Sequence, residues 1–228
     1  TQKITEQKDS LSMDDAYRIQ EIAMRLRVSR GERLIGMKMG LRPPTYGLLT
    51  DAMQVADGGI YSLQNRIAPR IEPEIAFIIG KDLEGAMSPA QALAACSGVC
   101  VAMEIVDSRY ANYSGTLLDT IADNCSATGF VLGATVRRPD KGDLSNLGVV
   151  LEVNGKPVQF ASTAAVLGNP ARSLAELVRM LAKKDQVLRA GSIVLSGGIT
   201  PSVPLHKGDK IRAQVQGLGS VSLTMGAE

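Results

Sequence analysis

The sequence predicts an α+β domain: a mixed, mostly antiparallel β-sheet able to curl into a barrel-like core, with helices on its flanks. Three observations carry this expectation. Few segments show helical periodicity, and they lie scattered among many that alternate as strands do. Helices and strands do not follow one another in regular βαβ units, and no Gly-x-Gly-x-x-Gly follows a strand, which argues against a doubly wound nucleotide-binding sheet. Apolar residues make up 45% of the 228 positions, enough for one large core, and no linker, repeat or low-complexity tract divides the chain. One domain is therefore expected over 1–228, with a smaller helical and strand portion at about 1–60.

The elements follow in order. Ser12-Met-Asp-Asp15 reads as an N-cap with an acid three residues on, and Met13, Ala16, Tyr17, Gln20, Ala23 and Met24 continue at helical spacing to about Ser29-Arg-Gly31. A short strand over 34–39 places Ile35, Met37 and Met39 on one face and Gly36, Lys38 and Gly40 on the other. Residues 70–79 form the next strand. Ser88-Pro89 caps a helix predicted to run to about Gly98, and a strand returns over 100–106. From Gly129 the pattern is mostly β. Asn154-Gly155 is a hairpin signal between two strands, and Asn169-Pro170 opens a helix with Leu174, Leu177, Val178 and Leu181 on one face. Strands at 192–195, 210–216 and 220–225 complete the set.

Composition excludes several classes. Lys and Arg total 25 against 23 acids with no basic run, so no nucleic-acid surface is expected. No apolar stretch approaches the roughly 18 residues that span a bilayer, so no membrane segment is expected, nor does the start carry a secretory pattern. The three cysteines, Cys96, Cys100 and Cys125, do not form a disulfide framework, and Cys96 and Cys100 read as a buried pair on an Ala-rich helix. A reducing cytoplasm is the expected location. The single histidine, His206, lies in a turn before a late strand and is expected to be exposed. With one His and no zinc-spaced Cys cluster, any metal must be bound mainly by oxygen, which favours Mg²⁺ or Mn²⁺.

The chemistry concentrates in a few positions. Glu72-Pro-Glu74 lies inside an apolar strand, where a period of two puts both carboxylates on one face about 7 Å apart. Glu104 sits in the middle of Val101-Ala-Met-Glu-Ile-Val106, where burial is costly unless the acid is paired or bound to metal. Three strand-borne carboxylates can form one face of an octahedral site. The plainer alternative is a solvent-facing strand edge, which Pro73 favours, with Glu104 paired to Arg70 or Arg109. Lys38, flanked by Gly36 and Gly40, is open to close approach by a ligand or simply a strand-edge lysine. Asp107-Ser-Arg-Tyr110 and Ala122-Asp-Asn-Cys-Ser126 are polar strand ends, suited to ligand contact or ordinary turns. Ser196-Gly-Gly-Ile-Thr200 is either a plain turn or a loop presenting backbone N–H groups to an anion.

Together these segments resemble the fumarylacetoacetate hydrolase superfamily, and within it the hydratase/decarboxylase branch from meta-cleavage degradation of aromatic compounds. The resemblance runs from about Asp14 to Leu223. Its motifs are Ile35-Gly-Met-Lys-Met-Gly-Leu41, Pro69-Arg-Ile-Glu-Pro-Glu-Ile-Ala-Phe77, Met103-Glu-Ile-Val-Asp-Ser-Arg-Tyr110, Ala122-Asp-Asn124 and Gly217-Leu-Gly-Ser220. Family members carry a longer segment between the equivalents of Leu41 and Pro44, a loop over the site, and extend further at the N-terminus.

The resemblance implies a fumarylacetoacetase-like fold with Mg²⁺ or Mn²⁺ on Glu72, Glu74 and Glu104. It implies Lys38 as a catalytic and substrate-binding residue, and Arg109, Asn124 and Ser126 as further substrate contacts. The implied substrate is a small 2-oxo dicarboxylate. The implied activity is decarboxylation of a 2-oxo-hexenedioate to 2-hydroxypenta-2,4-dienoate and CO₂, the ion acting as Lewis acid. Pro44-Thr-Tyr-Gly47 stands where many sister hydratases have Pro-Asp-Phe-Gly, and losing that acid favours decarboxylation over water addition. Hydration of the dienoate, hydrolysis of an acylpyruvate and an inactive partner subunit are the alternatives. A homo-oligomer, and a complex with the pathway's hydratase, are the implied assemblies.

Overall fold

In a computed structural model of the chain, residues 1–7, 10–140 and 142–226 are described. Helix α1 (Met13–Ser29) starts from a capping box: the Ser12 hydroxyl accepts from the Asp15 N–H, and the Asp15 carboxylate accepts from the Ser12 N–H. Ala16, Tyr17, Gln20 and Met24 are its buried residues, whereas Met13 and Ala23 face solvent. There follow β1 (Leu34–Leu41), β2 (Pro44–Thr50), β3 (Gln54–Val55), β4 (Ile60–Ser62), β5 (Arg70–Ile79), α2 (Pro89–Ala94), β6 (Cys96–Val106), α3 (Leu117–Ala122) and β7 (Ala127–Leu132). The second half supplies β8 (Gly148–Val153), β9 (Lys156–Ser162), α4 (Pro170–Ala182), β10 (Ile193–Leu195), β11 (Val203–Pro204), β12 (Lys210–Val215) and β13 (Gly219–Gly226).

The larger sheet runs β2-β1-β10-β5-β6-β7-β3, with β11 also on β5; the smaller runs β4-β13-β12-β8-β9. Pairings are antiparallel except β1 with β10, β4 with β13 and β3 with β7. The larger sheet curls into an open half-barrel with the helices around it, the mixed α+β architecture expected. One face of β5 carries Ile71, Ile75 and Phe77 into the main core. The other carries Ala76, which packs with Cys100, Ala102, Phe130 and Leu195 in a second core. Helix α4 buries Leu174, Leu177, Val178 and Leu181 as its periodicity requires. Asn154 and Gly155, both at positive φ (54° and 74°), turn β8 into β9.

Two readings are corrected. The helix from Pro89 ends at Ala94, because Cys96 pairs with Ile79 and starts β6; Cys96 and Cys100 are thus buried strand residues rather than a helical pair. Pro73 is not on a sheet edge: β10 and β11 both pair with the same side of β5, and Pro73 sits in the gap between them. There its missing N–H goes unneeded, while its carbonyl accepts from Ile199 N–H at 2.9 Å. Where family members carry a longer segment, Leu41 and Pro44 of this chain pair directly, and Arg42-Pro43 alone joins β1 to β2.

The outer edge of β2 would be an open hydrogen-bonding edge, but side chains cover it. Tyr17 Oη accepts from Tyr46 N–H, Gln20 Nε2 donates to the Tyr46 carbonyl, and the Asn124 amide pairs with both N–H and C=O of Leu48.

Candidate metal centre

The register of β5 against β6 builds the centre. Glu72 lies directly across from Glu104, and Glu74 across from Ala102, so all three carboxylates emerge on the face that also carries Ala76 and Cys100. Side chains directly opposite stand about 5 Å apart at Cβ, and like charges there are destabilising. Nevertheless, an oxygen from each of Glu72, Glu74 and Glu104 can be chosen so that all lie within 4.8 Å of one another. Glu74 and Glu104 have no solvent exposure, and Glu72 is half-buried.

Each carboxylate is held by a different device. Glu74 Oε2 accepts the Gly197 N–H at 2.6 Å, so the Ser196–Thr200 loop presents a backbone N–H to the Glu74 carboxyl group. Ser173 Oγ on α4 donates to the Ser196 carbonyl at 2.6 Å and fixes the same loop. Glu104 Oε2 accepts from Lys38 Nζ at 3.0 Å. Glu72 lies against Gly198, whose missing side chain makes the room: a Cβ there would stand 2.6 Å from Glu72 Cδ. Lys38 reaches this face because it is opposite Leu195 of β10, which is opposite Ala76 of β5.

Two oxygens are left over. Glu74 Oε1 and Glu104 Oε1 are buried without a hydrogen-bond partner; the latter lies 3.0 Å from Lys38 Nζ but outside hydrogen-bond geometry. A buried orphan carboxylate oxygen is costly, and two of them beside a third acid fit a site for a hard divalent cation. Charge tells the same story. Burial first, then Glu104, pushes the Glu72 carboxyl up to about 7. Burial, Glu104 and Glu72 hold Glu74 well above its ordinary range, and burial raises Glu104. For Lys38 burial alone would lower the pKa, but Glu104 first, then Cys125, Glu72 and Glu74, raise it and keep it an ammonium.

A cavity of about 420 Å³ opens onto this centre, lined by Lys38, Arg42, Glu72, Ala165, Gly198 and Thr200 among others. Arg109, Asn124 and Ser126 are not among its lining residues. The Arg109 guanidinium and N–H are both engaged by Asp123, and Asn124 is tied to β2. Ser126 is buried, and its carbonyl accepts from Asp107 N–H at 2.9 Å. Asn124, Cys125 and Ser126 are three successive non-glycine residues at positive φ (52°, 50° and 59°), a left-handed turn held by these contacts. Gly47 makes room for it, since a Cβ there would stand 2.6 Å from the Asn124 carbonyl oxygen. His206 is exposed, as expected. The N–H donated by Gly197 lies in a loop the sequence already offers for that purpose, whereas the room Gly198 makes for Glu72 and the support from Ser173 carry no such signal beyond the doubled glycine.

The curled sheet and its three-acid centre define a class: the chain belongs to the fumarylacetoacetate hydrolase family, whose C-terminal model matches residues 39–225. Among particular proteins, it is 40% identical to a 4-oxalocrotonate decarboxylase of a Pseudomonas species over 231 residues, 96% of this chain and 90% of that one. It is 37% identical to a 2-keto-4-pentenoate hydratase of Paraburkholderia xenovorans, over 92% of this chain and 83% of that protein. The structure of 4-oxalocrotonate decarboxylase from Pseudomonas putida G7, complexed with magnesium and adipate, matches with a TM-score of 0.95 at 36% identity, covering 99% of this chain and 90% of that one.

Proposed function

We propose that this chain is a single-domain, metal-dependent carboxy-lyase that converts 2-oxo-3-hexenedioate (4-oxalocrotonate) to 2-hydroxypenta-2,4-dienoate and CO₂. The observation that carries the reading is the pair of orphaned buried oxygens on Glu74 and Glu104, beside Glu72, at the end of a cavity sized for a small diacid. The 4-oxalocrotonate decarboxylase relatives support the substrate, and the magnesium and adipate complex of one supports both ion and diacid. Glu72, Glu74 and Glu104 would hold Mg²⁺ or Mn²⁺, which supplies Lewis acidity for electrons leaving the departing carboxylate.

The chain's own residues set the conditions. Gly197 N–H and Lys38 fix the two buried carboxylates, leaving one oxygen of each without a hydrogen bond. The three carboxylates, a divalent ion and the Lys38 ammonium are together neutral, so a dianionic substrate leaves the site negative unless further cations take part. Lys38, adjacent to the acids and lining the cavity, is the group we assign to hold or protonate developing enolate charge. Arg109, Asn124 and Ser126, substrate contacts by resemblance, are engaged with Asp123, β2 and Asp107 in the structure.

Hydration of 2-hydroxypenta-2,4-dienoate is the second reading, supported by the 37% identical hydratase. Thr45 in place of an acid weakens it. Incubating purified protein with Mg²⁺ and each substrate separates the two: mass spectrometry should find CO₂ and the five-carbon dienol from the hexenedioate. Hydration product from the dienoate, without CO₂ release from the diacid, would refute the decarboxylase reading. No helix among the described residues is long and apolar enough to cross a membrane. A cytoplasmic location, a homo-oligomer and a complex with the pathway's hydratase, handing on an unstable dienol, complete the proposal; light scattering and co-purification test the two assemblies.

A further inference from the structure

Arg70 is a half-buried guanidinium that forms no ion pair with a carboxylate among the described residues. Its Nε donates to Ser202 Oγ at 2.8 Å and its Nη2 to the Ser202 carbonyl at 2.6 Å. These neutral acceptors orient the guanidinium plane without cancelling its charge. Arg70 is two residues before Glu72 on β5, on the same face as Glu72 and Glu74, roughly 7 Å along the strand from the first acid. Arg70 does not itself line the cavity, but Ser202 directly follows Thr200 and Pro201, which do, and the Arg70 charge is close enough to Glu72 to act against the rise of its carboxyl pKa.

The other cations nearby are committed or unsupported. Lys38 is paired with Glu104 and is assigned to the developing enolate charge, and Arg109 is paired with Asp123. Arg42 lines the cavity but is exposed on a strand turn, with no hydrogen-bonding group to orient it among the described residues. An oriented guanidinium with N–H groups to spare matches a carboxylate in geometry as well as charge.

We infer that Arg70, oriented by Ser202, binds the substrate carboxylate adjacent to the 2-oxo group. The inference rests on the proposed function and adds a residue to it. The choice between the two substrate carboxylates follows from the reaction. The carboxylate that departs as CO₂ loses its charge on the way to product, so an ion pair to it would favour the ground state and raise the barrier. The carboxylate beside the ketone keeps its charge throughout, so pairing it strengthens binding in ground and transition states alike.

The test is calorimetric titration of Mg²⁺-loaded protein with 2-oxohexanoate, which has only the carboxylate beside the ketone, and 2-oxohexanedioate, which has both. Arg70→Ala should weaken both acids by a similar factor, roughly tenfold or more. It should raise KM for the hexenedioate with kcat little changed and leave Mg²⁺ affinity unaltered, and Arg70→Lys should recover part of the loss. If Arg70→Ala does not fold, Arg70→Gln carries the same expectations. Weakening confined to 2-oxohexanedioate would assign Arg70 to the departing carboxylate and overturn the inference; so would unchanged affinity for both. If wild-type protein binds neither acid in a Mg²⁺-dependent way, the proposed function falls too. If wild-type binds both and the variant matches it, only the assignment of Arg70 falls.

Discussion

Gly198→Ala tests the geometry of the centre with a single methyl group. The added Cβ would lie 2.6 Å from Glu72 Cδ, whereas carbon atoms rest about 3.5–4.0 Å apart, so the carboxylate must retreat by roughly 1 Å. Metal–ligand distances tolerate about 0.2 Å, so a displacement of this size removes Glu72 as an effective ligand or distorts the site around it. A tenfold to hundredfold loss of metal affinity is expected, about 1.4–2.7 kcal/mol. The fold should persist, because Gly198 has no positive φ and Glu72 is half-buried and free to swing aside. Metal-free thermal stability should be unchanged or slightly higher, since Gly→Ala at a compatible position contributes about 0.4–1 kcal/mol through the unfolded chain. The assay is Mg²⁺ titration by calorimetry beside thermal melting of the metal-free protein. Wild-type Mg²⁺ affinity in a folded Gly198→Ala protein would refute the reasoning, because Glu72 would then not be a ligand in the observed position.

Other expectations follow from the same contacts. Lys38→Ala removes the cation paired with Glu104; kcat should fall further than metal affinity, and metal-free stability should drop by about 3–5 kcal/mol where Glu104 is ionised. Wild-type turnover in that variant would make Lys38 a bystander. Because folding raises the Glu72 carboxyl from 4.5 to about 7, the folded metal-free chain holds this proton more tightly than the unfolded chain. That contribution to stability is complete below about 4.5 and is lost as pH rises through 7, so the melting-temperature gain from Mg²⁺ should be larger at pH 8 than at pH 5.5; an equal gain at both would contradict it. Burial pushes the Cys96 thiol up to about 12 and the Cys100 thiol up to about 11, so neither should react with a thiol reagent at pH 8 until denaturant is added. Rapid labelling of either in native protein would place it nearer the surface than the structure does.

The parts legible in the sequence were those whose signal is local. Strand β5 and its two same-face glutamates follow from alternation alone, and α1 and α4 from caps and periodicity. Glu104 stood out because an acid in an apolar run demands a partner. Helix α3 was also legible in principle, since Thr116 and Asp119 form a capping box, but its six residues are too few for periodicity to register. Helix α2 ended early and β6 began early because pairing with Ile79 overrode the helical preference of an Ala-rich run. For Arg109 and Asn124 the resemblance implies substrate contact, while the partners they have in the structure, Asp123 and the edge of β2, are set by tertiary arrangement that spacing does not encode. The roles of Gly197 and Gly198 depend likewise on a loop brought across from residues more than a hundred positions away in sequence.

The most direct test of the central claim is anomalous scattering from crystals of this protein soaked in Mn²⁺. One ion per chain is expected, at roughly 2.1 Å from an oxygen of each of Glu72, Glu74 and Glu104, and absent in Glu74→Gln. A peak elsewhere, or full occupancy in the Glu74→Gln protein, would contradict the account.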